Sequence, residues 1–141
     1  MLMLETTRII ASKYGGKHGG TSTIFDVATN TEATLTFTIP RGYVFYLIEF
    51  GGNGQNTDLN VQVRNAQNLV LQEYDEFPDS FIIISYLPFL QEYFKGNINV
   101  KFNNTNASTQ TVTFILNGIL IPENIREDFE KELKQCVSGV F

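Results

Sequence analysis

The chain has 141 residues, of which 43% are hydrophobic and 18% charged, and its formal net charge is −5. That length suits one domain with a core of its own, and the surplus of apolar over charged residues excludes a disordered chain. A single cysteine and a single histidine exclude an intrachain disulfide framework, a cysteine-rich zinc site and any mechanism needing two imidazoles, while the acidic balance argues against general polyanion binding.

Residues 1–23 read as a flexible N-terminal arm. Met1-Leu2-Met3-Leu4-Glu5 has no basic segment ahead of a long apolar core, so it is not read as a secretory signal. Thr6-Thr7-Arg8-Ile9-Ile10 suits a short strand. Gly15-Gly16-Lys17-His18-Gly19-Gly20 suits a mobile loop, because each glycine loses much backbone entropy on ordering. From Thr34 the period becomes two. Leu35, Phe37 and Ile39 alternate with threonines, the mark of a strand with one face in the core. Pro40-Arg41-Gly42 suits a turn. Tyr43 to Phe50 is apolar on both faces, so something must cover the second face. Gly51 to Asp58 reads as a polar glycine loop. Leu59 to Arg64 and Asn68 to Gln72 form a hairpin, and Glu73 to Asp79 an acidic loop. Ser80 to Leu87 is β-rich, and Phe89 to Lys95 fits either a strand or a helical turn. Ile98 to Phe102 and Thr111 to Ile121 alternate again, with Gly118 marking a bulge or bend. Ile125, Phe129, Leu133 and Val137 then form one helical stripe, with Cys136 packed beside it and an Asn124–Glu127 capping box at its start.

Short strands at these spacings followed by one helix predict an all-β fold: an antiparallel β-sandwich, a jelly roll in its expected version, with one C-terminal amphipathic helix. The expected organisation is an arm (1–23), a sandwich (24–121) and a helix with its tail (122–141). No run of about 18 apolar residues marks a membrane span.

Chemistry is sparse. His18 sits among glycines, the wrong setting for a rigid catalytic group, and Cys136 reads as a small buried hydrophobe. No catalytic residues, cofactor or metal site are expected, and the chain is not read as an enzyme. A metal-dependent cupin would draw on several histidines. The carboxylates of 73–79 suit a solvated loop, with calcium as the better of their functional readings. Neither glycine stretch leads into a helix with Lys-Ser/Thr, so neither reads as a phosphate loop. Basic residues interleaved with aromatics are too few for specific nucleic-acid binding. A carbohydrate- or receptor-binding module is the alternative function, with Asn53, Asp58, Tyr74 and Phe77 as its ligand loops.

The surplus of apolar strands points to subunit association, with Tyr43, Phe45, Ile82, Ile84, Leu87, Ile125, Phe129 and Leu133 as interface candidates. Thr36-Phe37-Thr38-Ile39-Pro40-Arg41-Gly42-Tyr43-Val44-Phe45-Tyr46-Leu47 resembles the opening of small virion proteins of bacteriophages and related viruses. The resemblance covers residues 34–121 as general character. It implies a non-enzymatic structural component of a virus particle: a single jelly-roll capsid, decoration, spike-base or head-fibre protein. Such a protein assembles as a trimer or pentamer with other virion proteins in the host cytoplasm and resides in the virion.

Overall fold

The structure, a computed structural model, describes residues 2–85 and 93–138. Helix α1 (Leu2–Lys13) precedes eight strands among the described residues: β1 (Lys17–Val27), β2 (Thr31–Thr38), β3 (Tyr43–Asn53), β4 (Leu59–Arg64), β5 (Val70–Tyr74), β6 (Ile82–Ser85), β7 (Asn97–Asn104) and β8 (Gln110–Pro122). A 3-10 turn (Glu123–Ile125) leads into helix α2 (Arg126–Ser138).

Antiparallel pairing joins β1 to β8, β2 to β7, β3 to β6 and β4 to β5. Each strand of the first half thus meets its mirror position in the second half, as in one long hairpin rolled on itself. The further pairs β3–β8 and β4–β7 close two four-stranded sheets, ordered β1-β8-β3-β6 and β2-β7-β4-β5. This is the expected all-β sandwich, in the strand order of a jelly roll.

Alternation supplies the core between the sheets. Leu59, Val61 and Val63 of β4, Ile98, Val100 and Phe102 of β7, and Val112, Phe114 and Leu116 of β8 all turn inward and are buried. Phe114 anchors the aromatic packing, its ring centroid 5.6 Å from those of both Phe50 and Phe102.

The second face of β3 has a separate cover. Val44, Tyr46 and Ile48 join Ile119 and Ile121 of β8 beneath Ile10 and Ala11 of α1 and Phe129 and Leu133 of α2. The register slips between Leu47 and Glu49, so Ile48 sits in a bulge. The extra residue keeps Ile48 under the helices and returns Phe50 to the core. Gly118 faces this point from β8, and a Cβ there would lie 2.0 Å from the Tyr46 carbonyl oxygen and 2.5 Å from the Phe45 ring. The irregularity expected at Gly118 therefore belongs to its partner strand, and Gly118 is the residue that lets the strands close.

Several expectations are corrected. Thr6–Ile10 is helical, not a strand: Thr7, Ile10 and Ala11 are buried along one face while Arg8 and Ile9 face out. Of the stretch expected as a glycine loop, Gly15 and Gly16 do lie between α1 and the sheet, whereas Lys17 to Gly20 begin β1, which runs across the expected boundary at residue 23. Gly19 fits there because it lies directly against Leu120 and Phe45, where a Cβ would come within 2.9 Å of the Leu120 side chain. Gly51 and Gly52 are part of β3, not of a loop. The Asn124–Glu127 capping box is replaced by the 3-10 turn, whose first residue follows Pro122 with no side-chain cap. Cys136 is exposed, off the stripe of Phe129 and Leu133. The expectations at Tyr86, Leu87, Pro88, Phe89 and Leu90 lie outside the described residues.

Gly118→Ala forces the β3 backbone away and is expected to cost about 3 kcal/mol, the upper end of over-packing. Phe129→Ala empties the centre of the helix layer and is expected to cost about 3–5 kcal/mol. Urea unfolding checks both: each midpoint falls while the slope stays that of the parent.

Candidate assembly surface

The interface candidates do not form one surface. Phe45, Phe129 and Leu133 are fully buried within the chain, so they have no area left for a partner. Tyr43 is half-buried against the core, with the Lys17 ammonium 4.8 Å from its ring centroid. Ile125 is half-buried against the helix layer. Ile82 and Ile84 are half-buried in β6, Ile84 opposite the core residue Phe50. Leu87 lies outside the described residues. Apolar strength pointed to these residues, but in Phe45 of β3 and in Phe129 and Leu133 of α2 it serves the interior of the chain.

The ligand-loop candidates are also drawn inward. Phe77 is fully buried, and Tyr74 lies stacked on Phe50 at 5.7 Å with an interplanar angle of 4°. The Phe77 ring therefore has no face open to a sugar, and one face of the half-buried Tyr74 ring is taken up by Phe50. The Asn53 amide donates to the carbonyls of Gly54 and Asp79. The Asp58 carboxylate accepts from Asn106 at 2.9 Å. That exposed contact lies beside a network centred on the buried amides of Asn104 and Gln110. Asn104 donates to the Val27 and Ser108 carbonyls, and Gln110 donates to Asn56, Asp58 and Asn104. With their polar groups paired, these side chains tie the loops together. Glu73, expected in the acidic loop, lies instead in β5, where it accepts from Gln62 and Asn60, which hold its carboxyl below the usual range. Among the described residues no three acidic, histidine or cysteine side chains gather around a possible metal position. No helix among them is long and apolar enough to cross a membrane.

Polar fasteners hold the helices over the first sheet. The Glu132 carboxylate accepts from the Lys13 ammonium at 2.8 Å and from the Tyr14 hydroxyl at 2.7 Å. The Tyr46 hydroxyl donates to Glu130, and burial, followed by that bond, pushes it far above the usual phenol range. The Arg126 guanidinium lies 4.6 Å from the Tyr93 ring centroid.

The helices cover one end of that sheet face and leave the other open. Across the open end, Ser22, Ile115, Gly51 and Ile83 pair in one row, and Ile24, Thr113 and Asn53 in the next. Phe81 adjoins them. Ile24 is 69% exposed, Phe81 53% and Ile83 50%; Ile24 and Phe81 border a shallow hollow of about 430 Å³, and Ile83 stands outside its lining. Asp26 and Glu49 on the same face are bonded to Thr111 and Asn117, and among the described residues no charged side chain lines the hollow. Ile24 was legible from alternation: with Thr23, Phe25 and Val27 on the inner face, it must point out.

The two flanks of the sandwich also differ. One carries β5, whose register with β4 slips between Val63 and Arg64, and β6, which has four residues. The other carries β1, with 11 residues in unbroken register with β8, and β2 with 8. Between β1 and β2 a cleft of about 200 Å³ opens, lined by Thr21, Thr23, Leu35 and Phe37 over Val100 and Phe114.

Neither a family model nor a curated protein sequence matches this chain. Among solved structures, a matching chain belongs to one described as "Bacillus endospore appendages form a novel family of disulfide-linked pili". It is 11% identical, the match covers 76% of this chain and 89% of that one, and the TM-score is 0.42. A likeness of that size carries no argument about function, and the expected viral origin draws no support from it.

Glu132 sets a pH dependence for helix docking. Its carboxyl is held low by the hydrogen bond from Lys13 first and from Tyr14 second. The stability this contributes is complete above the ordinary carboxylate pKa and is lost as pH falls through the lowered value. Lys13 is raised by the same partner, so its share persists below the ordinary lysine pKa and is lost as pH rises through the raised one. Glu132→Gln is therefore expected to lower the urea midpoint at about pH 6, with the gap from the parent closing toward about pH 3.

Proposed function

We propose that this chain is a non-enzymatic structural subunit that acts by binding further copies of itself. On the resemblance of residues 36–47, we propose a virus particle as the assembly and the virion as its location. The observation that carries the self-association is the exposure of the apolar side chains Ile24, Phe81 and Ile83, on the side of the sheet where the helix layer covers Val44, Tyr46 and Ile48. Large apolar side chains gathered in one patch favour a partner, and a chain of net charge −5 meets its own copy with least repulsion where neither carries charge.

Magnitudes set the strength. Completing the burial of these three side chains is worth roughly 3–5 kcal/mol per copy. Association costs about 4–15 kcal/mol in lost freedom, so patch burial offsets that cost without exceeding it by much. Tight pairing needs a further contribution, such as backbone hydrogen bonds. The inward packing of the Tyr74 and Phe77 rings favours this reading over a sugar-binding module.

Sedimentation velocity across a concentration series tests the proposal. The parent is expected to form oligomers as concentration rises, and Phe81→Ser with Ile83→Ser to move the distribution to smaller species. A parent that stays monomeric throughout overturns self-association. Purified particles from an infected host that lack the chain overturn the virion assignment.

A further inference from the structure

We infer that β1 is the edge at which a second copy of this chain docks, antiparallel and centred on Ser22, so that the first sheets of the two copies continue as one eight-stranded sheet. This inference rests on the proposed self-association and adds a second contact to it: of the exposed apolar side chains only Ile24 lies on β1, whereas Ile83 lies on β6 at the opposite edge of the sheet and stays outside the β1 seam.

An edge strand presents unpaired backbone groups, and chains usually guard such edges with charge, proline, a bulge or brevity. The β5–β6 flank has such guards: a register slip, Glu73 and a four-residue strand. β1 has none over its middle. From Gly19 to Phe25 it carries no charge, no proline and no slip in its pairing with β8, and it ends its sheet. The cleft behind it is a second feature of the same flank, leaving Leu35 and Phe37 half-buried between the sheets. A two-fold axis perpendicular to the sheets brings the clefts of two copies face to face and closes this seam.

The residue order of β1 selects both the partner and the register. Opposed residues in an antiparallel pair share a face, so a two-fold axis perpendicular to the sheet must place one residue opposite itself. Centred on Ser22, the outer face sets Ile24 against Gly20 of the second copy and Asp26 against its His18. The inner face sets Phe25 against Gly19 of the second copy and Thr21 against its Thr23. A bulky side chain covers a glycine on each face, and a carboxylate meets an imidazole at each end. Moving the centre to Thr21 or Thr23 loses all of these matches. In a chain of net charge −5, this strand thus opposes its own copy without setting like charges together.

Ser22 is exposed on the outer face, so the single chain accommodates a charged side chain there. Ser22→Lys and Ser22→Glu each place like charges directly opposite in the pair, and each alone is expected to weaken self-association on the order of tenfold or more. Mixed in equal amounts, the two variants are expected to associate with each other at least as well as the parent does with itself. Analytical ultracentrifugation of the parent, each variant and the mixture reads these outcomes. Weakening in both variants with recovery in the mixture supports the inference. Weakening without recovery overturns the register centred on Ser22. A parent that associates while both variants behave like it overturns docking at β1 and leaves self-association standing. A parent that is monomeric at every concentration overturns self-association itself.

Discussion

The structure depends on β3 being apolar on both faces. A strand in a two-sheet sandwich buries one face against the opposing sheet and leaves the other to solvent. Val44, Tyr46 and Ile48 break that arrangement by making the outer face apolar, and Ile119 and Ile121 extend it onto β8. The chain answers by bringing α1 and α2 together on that face. Tyr46 shows how closely the layers are joined: its ring packs 5.3 Å from that of Phe129 while its hydroxyl donates to Glu130 of the same helix. Two hydrophobic layers thus share β3 and β8 as their common wall.

The architecture was legible in the sequence wherever polar and apolar residues alternated. Leu59, Val61 and Val63, and likewise Ile98, Val100 and Phe102, lie inward as a period of two requires. The need for a cover over Tyr43–Phe50 was legible too. Its source was only half so, because α2 carries a plain helical stripe and α1 does not. Thr6, Thr7, Ile9 and Ile10 are β-branched and favour extended structure locally. Tertiary packing of Thr7, Ile10 and Ala11 onto the helix layer outweighs that preference. The glycines of 15–20 were misleading for a related reason. Backbone entropy argues for a loop, whereas Gly19 serves close approach to Leu120 and Phe45 within a strand.

The candidate surface was less legible. Apolar strength alone selected Phe45, Phe129 and Leu133, and those are the residues most completely removed from solvent. Exposure depends on which end of a face the helices reach, and that follows from three-dimensional placement. Ile24 and Ile83 face outward by simple alternation, yet nothing in the pattern says that the cover ends before them. Phe77 is the reverse case: an aromatic in an acidic loop that folds under to complete the core beside Phe50 and Tyr74.

The nested pairing also bears on how the chain reaches this form. β4 and β5 are neighbours in sequence and can zip early, whereas β1 must wait for β8, which lies at the far end of the sandwich sequence. Closing so long a loop is slow, and during synthesis β1 leaves the ribosome well before its mate exists. Until then both of its margins lack a partner strand. The outermost strand pair of the nest, β1 with β8, is therefore expected to be the last to form, and it locks the arrangement only once the far end of the chain arrives.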